Sequence, residues 1–286
     1  EAKNVYFRAL MALARGRNCF IWGMPGTGKD ALAHAFSAYT RTPLVELAFK
    51  PGVDISPWFY RQVLTAEGPA WEYGYLWKSI TQGVLGRDGK RRPALVLLSD
   101  VDRADMSQVE WFRVLCDSMG GRILDPSGEM IPLFPGTRFV CTANSCGSGD
   151  ARGRMTSANP IDASILDRLG RKIEAVYLDW EDESGVLRSK FPIVAEKSPT
   201  LFAELGKATD ALRKSIKEET LSAEFTHRGL CEILQECDDI LSFQSDVPRN
   251  LLALGFRAWT EGLDGDSRLQ AKRLIDPHLK GGALNT

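Results

Sequence analysis

Residues 23–30 read GMPGTGKD, and Gly23, Gly28 and Lys29 stand at the G-x-x-x-x-G-K spacing of a loop that cradles phosphates. The chemistry asks for these residue types. Glycines let backbone N–H groups turn toward anionic oxygens, and the lysine behind them adds a positive charge for the outer phosphates. On this reading Gly23, Pro25, Gly26, Thr27, Gly28 and Lys29 hold a nucleotide. The next residue departs from the pattern. A small hydroxyl at that place ligates the nucleotide's magnesium, whereas this chain carries Asp30, a carboxylate that repels phosphate unless a cation stands between them.

A second stretch, ALVLLSDVDRAD over 94–105, is an apolar run that ends in acids. Nucleotide hydrolases hold magnesium and orient the attacking water at such a strand end. Ser99 and Asp100 are the candidates there.

These residues need elements to carry them. Apolar positions at Val5, Tyr6, Ala9, Leu10 and Leu13 have a helical period, so a helix leads into CFIW, a short buried strand. KDALAHAFSAY after the glycines repeats the helical period, which places the loop between a strand and a helix. PLVELAF, PALVLLS, TRFVCTAN and RKIEAVYLD read as strands, SQVEWFRVLCDSM and DASILDRLG as helices, and GRILDPSGEMIPL as a hairpin. Strands alternating with helices predict an α/β core with a mostly parallel sheet flanked by helices on both faces. From about Phe191 onward the pattern is almost entirely helical. The expected division is an αβα nucleotide-binding core over 1–190 and a small all-helical lid over 191–286, its last residues DPHLKGGALNT a frayed tail.

Composition narrows the class. An apolar fraction of 44% fits an ordinary folded core, and 36 Lys and Arg against 37 Asp and Glu leave no global charge to draw the chain to nucleic acid or membrane. Any nucleic-acid contact is local. The basic loop GRDGKRRP is the obvious place for one, and a solvated turn is the plainer reading of it. Six cysteines without a C-x-x-C pair read as reduced thiols in a cytoplasmic setting. The three histidines show no metal spacing, and there is neither a signal-peptide core nor an apolar run long enough to span a bilayer.

The order of loop, acidic strand end, CTAN, LDRL and HRG resembles an AAA+ P-loop ATPase, in the branch of MoxR-type proteins and the cobaltochelatase small subunit CobS. FVCTANSCGSGDARGRMTSANPIDASILDRL over 139–169 is especially similar to the CobS-like pattern. The resemblance covers most of residues 5–275. It implies ATP and magnesium as ligands, ATP hydrolysis, a ring of identical subunits of hexameric type, remodelling of a partner protein and a partner with a von Willebrand factor A domain, with chelatase-type metal insertion as one such task. It also implies roles: Asn144 as the sensor that helps hold the attacking water, Arg168 as an arginine finger reaching a neighbouring subunit's site, and Arg228 as the lid's nucleotide sensor.

Two registers fit the acidic strand end. In one, Ser99 occupies the magnesium position and Asp100 the water-orienting position. The carboxylate lost at 99 then reappears at Asp30, with Ser99 donating a hydrogen bond to it, and Asp30, Ser99 and Asp100 surround the metal. In the other, Asp100 holds the metal and Val101 stands where a catalytic acid belongs, so turnover is slow or negligible and the chain is a nucleotide-locked scaffold. A nucleic-acid-stimulated motor or loader is a further alternative. The aromatics of SPWFYRQ and PAWEYGYLWKS, among them Tyr73, Tyr75 and Trp77, either face a substrate or pack an inserted element.

Overall fold

The computed structural model describes residues 2–105, 107, 108, 111, 115, 116, 121–147, 159–244, 246–280 and 284. It divides into two units, Glu1–Val176 and Tyr177–Thr286. In the first, α1 (Ala2–Ala14), β1 (Cys19–Gly23), α2 (Lys29–Thr40) and β2 (Leu44–Ala48) follow in order. An inserted segment comes next: α3 (Ser56–Phe59), β3 (Tyr60–Thr65), β4 (Gly68–Tyr73) and α4 (Tyr75–Gln82). Then come the short strands β5 (Val84–Leu85) and β6 (Arg91–Arg92), β7 (Leu95–Ser99), a hairpin of β8 (Arg122–Leu124) and β9 (Met130–Pro132), β10 (Arg138–Ala143), α5 (Ala163–Arg168) and β11 (Arg171–Ala175).

Five strands form one parallel sheet in the order β11-β1-β10-β7-β2. Its apolar strands alternate between two cores, as the two-residue period of a strand requires. Cys19, Ile21, Leu95, Leu97 and Val140 pack with Leu13, Leu32 and Phe36 of α1 and α2. Phe20, Val96, Leu98, Phe139 and Cys141 face the other way, against Phe59, Leu76, Trp77 and Ile165. A strand sandwiched between two such layers must be apolar at nearly every position, which is why CFIW and LVLL read as unbroken runs. The α/β core expected from the sequence, a parallel sheet flanked on both faces, is therefore the fold observed.

Register fixes where the strands end. Ile21 lies beside Thr142, Cys141 beside Leu98, and Ser99 beside Ala48. Gly23, Asp100 and Asn144 therefore leave the sheet at one edge, the carboxyl end of its strands, where such sheets bind ligands.

In the second unit α6 (Trp180–Lys190), α7 (Pro192–Lys197), α8 (Leu201–Lys217), α9 (His227–Phe243), α10 (Leu251–Glu261) and α11 (Gly265–Ile275) enclose one apolar cluster that includes Leu187, Leu205, Leu230, Ile233 and Phe256. Caps set two of the starts. Thr226 accepts from the Gly229 N–H at 3.4 Å, and Asp264 from that of Ser267 at 3.0 Å. The units divide after Val176, ahead of residue 190 where the sequence pattern changes, because α6 contributes Leu187 to the helical cluster. Of the expected frayed tail, residues 276–280 and 284 are described. Asp276–His278 forms a 3-10 turn, and Leu284 is buried, its N–H donating to the Asp276 carboxylate at 2.9 Å. The helix expected over 107–119 and the G-S-G-D step lie largely outside the described residues. Among the described residues no helix is long and apolar enough to cross a membrane.

Candidate functional site

The glycine-rich loop joins β1 to α2, as its sequence context predicts. Two glycines there are demanded by position. Gly23 has φ 153°, and a Cβ on it would run into the Ala175 carbonyl oxygen of β11. Gly28 caps α2 in the left-handed region at φ 78°, where a side chain is strained. The loop is also tied down from α1. The Tyr6 hydroxyl donates to the Thr27 carbonyl oxygen, and the Thr27 hydroxyl donates to that of Met24 at 2.8 Å.

Lys29 is buried, and its ammonium group donates to the Gly23 and Met24 carbonyl oxygens at 2.9 and 3.1 Å and to Asn144 Oδ1 at 3.0 Å. The other end of the Asn144 amide donates, Nδ2 to Asp100 Oδ1 at 3.3 Å. An amide is suited to that bridge, since its oxygen serves the cation and its nitrogen the carboxylate. The structure thus joins three residues singled out from the sequence, Lys29, Asn144 and Asp100. Burial lowers the pKa of Lys29, opposed by Asp30, Asp100 and Asp102. Burial also raises that of Asp100, reinforced by Asp102 and Asp30 and opposed by Arg103, 3.8 Å away, and by Lys29.

At Asp30 one expectation is corrected. Ser99 does not donate to its carboxylate; Thr142 does, Oγ1 to Oδ1 at 2.7 Å, while accepting the Asp100 N–H at 3.4 Å. Sheet order explains this. Strand β10 lies between β1 and β7, so the hydroxyl next to the loop comes from β10 and that of Ser99 is one strand further away. Ser99 is itself buried, and its Oγ has no hydrogen-bond partner.

Asp102 does work that the sequence did not disclose. It is fully buried, and its Oδ2 accepts the N–H groups of Asn144 and Ser145 at 2.9 and 3.0 Å, which fixes the corner where β10 ends. Its only sequence signal was its place in the DVDR run. Thr142 stood in plain sight two residues before Asn144, and nothing in the sequence marked Tyr6.

Arg168 takes no part in this network among the described residues. Arg168 ends α5 and donates only to the Ser164 carbonyl oxygen of its own helix, at 3.4 Å, with no ion pair among the described residues. Arg228 is exposed on the first turn of α9 in the second unit, and among the described residues no hydrogen bond or ion pair holds it.

The donor set suits a phosphate–metal complex. Three carboxylates, Asp30, Asp100 and Asp102, surround one lysine, so a bare polyanion meets repulsion; one pair of like charges 4 Å apart costs about 4 kcal/mol at an effective dielectric of 20. Among the described residues no three His, Cys, Asp or Glu side chains could close around an ion by themselves. Magnesium in nucleotide sites needs no such cage, because one or two carboxylates share it with phosphate oxygens and water. The buried, unpartnered Ser99 hydroxyl and the Asp30 carboxylate fit that scheme.

No protein-family model matches the chain, and no curated protein matches it in sequence. Solved structures do resemble it. The Holliday junction branch migration motor RuvB of Thermotoga maritima is 14% identical with a TM-score of 0.55 over 97% of this chain and 76% of that one. A point mutant of the same RuvB gives 12% and 0.56 over 98% and 72%, and NtrX from Brucella abortus 13% and 0.56 over 97% of this chain and 60% of its own. Likeness at this identity is likeness of fold, and the fold is that of the AAA+ P-loop ATPases.

Proposed function

We propose that the chain binds and hydrolyses ATP with magnesium, and that rings of it use the energy to remodel a partner protein in the manner of MoxR and CobS. The observation that carries the reading is the Lys29–Asn144–Asp100 chain at the mouth of a glycine-rich loop. Backbone N–H groups from Gly23 to Gly28 and the Lys29 ammonium hold the phosphates. Asp30 and Ser99 hold the metal, with Asp100 beside them. Bound there, magnesium neutralises charge on the phosphate oxygens. Asp100 orients the attacking water and accepts its proton, and the Asn144 amide keeps that carboxylate aimed while its oxygen positions Lys29. Arg168, with no ion pair among the described residues, is the group to reach a neighbour's nucleotide, and Arg228 the group to sense it from the helical unit. The partner is one with a von Willebrand factor A domain, and metal insertion is one task such a pair performs.

The experiment is calorimetry with MgATP alongside steady-state hydrolysis. Lys29→Ala abolishes binding, whereas Asp100→Asn keeps binding and stops turnover. Unchanged affinity in Lys29→Ala removes the phosphate-loop assignment. Wild-type binding without turnover selects the nucleotide-locked scaffold, with Asp100 as a metal ligand.

One observation favours a second reading, a nucleic-acid-stimulated motor. A groove of about 730 Å³ at the opposite edge of the sheet is lined by Arg17, Arg122 and Arg171. Stimulation of hydrolysis by DNA or RNA, falling steeply with salt, is its signature.

A further inference from the structure

The helical unit holds a group of reactive side chains that takes no part in nucleotide chemistry. Glu183 of α6 is buried and receives two hydrogen bonds from Arg213 of α8, at 2.6 and 3.0 Å. The same Arg213 guanidinium lies 4.1 Å from the centre of the Tyr177 ring. With Arg213 held by the Tyr177 ring at its face and by Glu183 at its edge, Glu183 is a rigid acceptor. Its Oε1 is 2.9 Å from His227 Nδ1, at the first position of α9. Cys231 follows His227 by four residues on the same helix, which brings the two side chains to one face. From the end of α6 the Lys190 ammonium reaches the Cys231 sulfur at 3.3 Å. Carboxylate, imidazole and thiol are thus in series, the order in which a carboxylate orients a base and a base activates a nucleophile.

We propose that Cys231 is a modification site, a nucleophilic thiolate held by His227 and Lys190 and oriented through Glu183, that reacts with hydroperoxides and other soft electrophiles. With hydrogen peroxide the sulfur lone pair attacks one oxygen, the S–O bond forms as the O–O bond breaks, and hydroxide leaves and is protonated by solvent. Sulfur loses two electrons to the peroxide and becomes a sulfenic acid. The other cysteines mark the contrast. Cys19, Cys116, Cys141 and Cys237 are buried, and burial pushes the thiols of Cys19 and Cys237 up to about 12. Cys231 is half-buried, so reagents reach it. Its own burial opposes ionisation, but the His227 imidazolium and the Lys190 ammonium beside it hold its pKa below that of an ordinary thiol. His227, beside Cys231 and hydrogen-bonded to Glu183, is raised to about 9 and keeps its positive charge through neutral pH. The charged groups facing the sulfur are therefore His227 on its own helix and Lys190 on α6, with Glu183 and Arg213 behind the imidazole.

The test is limited alkylation of the folded full-length chain with iodoacetamide, read peptide by peptide by mass spectrometry at pH 6.5 and 7.5. Cys146, also exposed, is the second accessible thiol for comparison. Cys231 is labelled ahead of Cys146 at both pH values, and an ordinary thiol loses about tenfold in rate per pH unit below its pKa. Lys190→Ala, a change at an exposed side chain, slows labelling at Cys231 and leaves Cys146 alone. After brief hydrogen peroxide treatment, dimedone adds to Cys231. Labelling of Cys231 no faster than Cys146, or unaffected by Lys190→Ala, overturns the proposal. So does the absence of a dimedone adduct on a Cys231 that alkylates rapidly. ATP binding is unaffected in Cys231→Ser, which separates this test from that of the nucleotide site.

Discussion

Thr142 gives Asp30 a hydrogen-bonded partner in a place where a carboxylate alone meets only phosphate. Hydrogen bonds to charged groups contribute about 1.5–3 kcal/mol, so the pair is expected to appear as coupling of that order in a double-mutant cycle of Asp30→Asn with Thr142→Val, read by urea unfolding. Additivity of the two changes would mean that the bond is not formed in solution. The same carboxylate predicts a metal effect. ATP affinity of the wild type collapses when magnesium is chelated, whereas Asp30→Thr binds metal-free ATP more tightly than wild type does; calorimetry with and without chelator distinguishes them. At this scale the sequence disclosed what lies in contiguous motifs: Lys29, Asp30, Asp100, Asn144. It did not disclose which hydroxyl meets Asp30. That depends on β10 passing between β1 and β7, an ordering that no local spacing encodes.

The inserted element separates the two readings its aromatics allowed. Trp77 is buried and stacks with Tyr73 at a centroid distance of 5.2 Å, while the Tyr73 hydroxyl donates to Asp125 at 2.9 Å. Tyr75 between them is 64% exposed, as the first residue of α4. Trp77→Ala should therefore cost the core about 3–5 kcal/mol in denaturant unfolding. Tyr75→Ala should leave stability and basal hydrolysis near wild type and lower stimulation by the partner. Loss of fold in Tyr75→Ala would assign that residue to packing as well. The basic loop behaves as a closed turn, with Arg91 donating to the carbonyl oxygens of Gln82 and Gly83 and Arg92 paired with Asp88 at 2.7 Å. Elements were the most legible level, because apolar runs and helical periods are written in consecutive residues. The compact units divide at Val176, ahead of the pattern change near 190, because α6 is rich in charge yet brings Leu187 and Trp180 to the helical cluster.

At the scale of the whole molecule, the ring reading makes Arg168 act across subunits. Mixing Arg168→Ala with Lys29→Ala chains should restore part of the hydrolysis that each lacks alone, since some interfaces then join an intact loop to an intact arginine. No recovery in rings shown by mass to be mixed would make Arg168 a residue of its own helix end.

The sheet order has a further consequence, for the birth of the protein. β1 is synthesised before both of its neighbours, β10 and β11, which lie more than a hundred residues later in the chain. Until they arrive, CFIW has no edge to pair with, and the loop at Gly23 lacks the Ala175 backbone against which it is shaped. Non-local pairing of this kind folds slowly and leaves apolar strands uncovered in the meantime. The nascent chain therefore carries its glycine-rich loop unformed until the last strand of the sheet has closed beside the first.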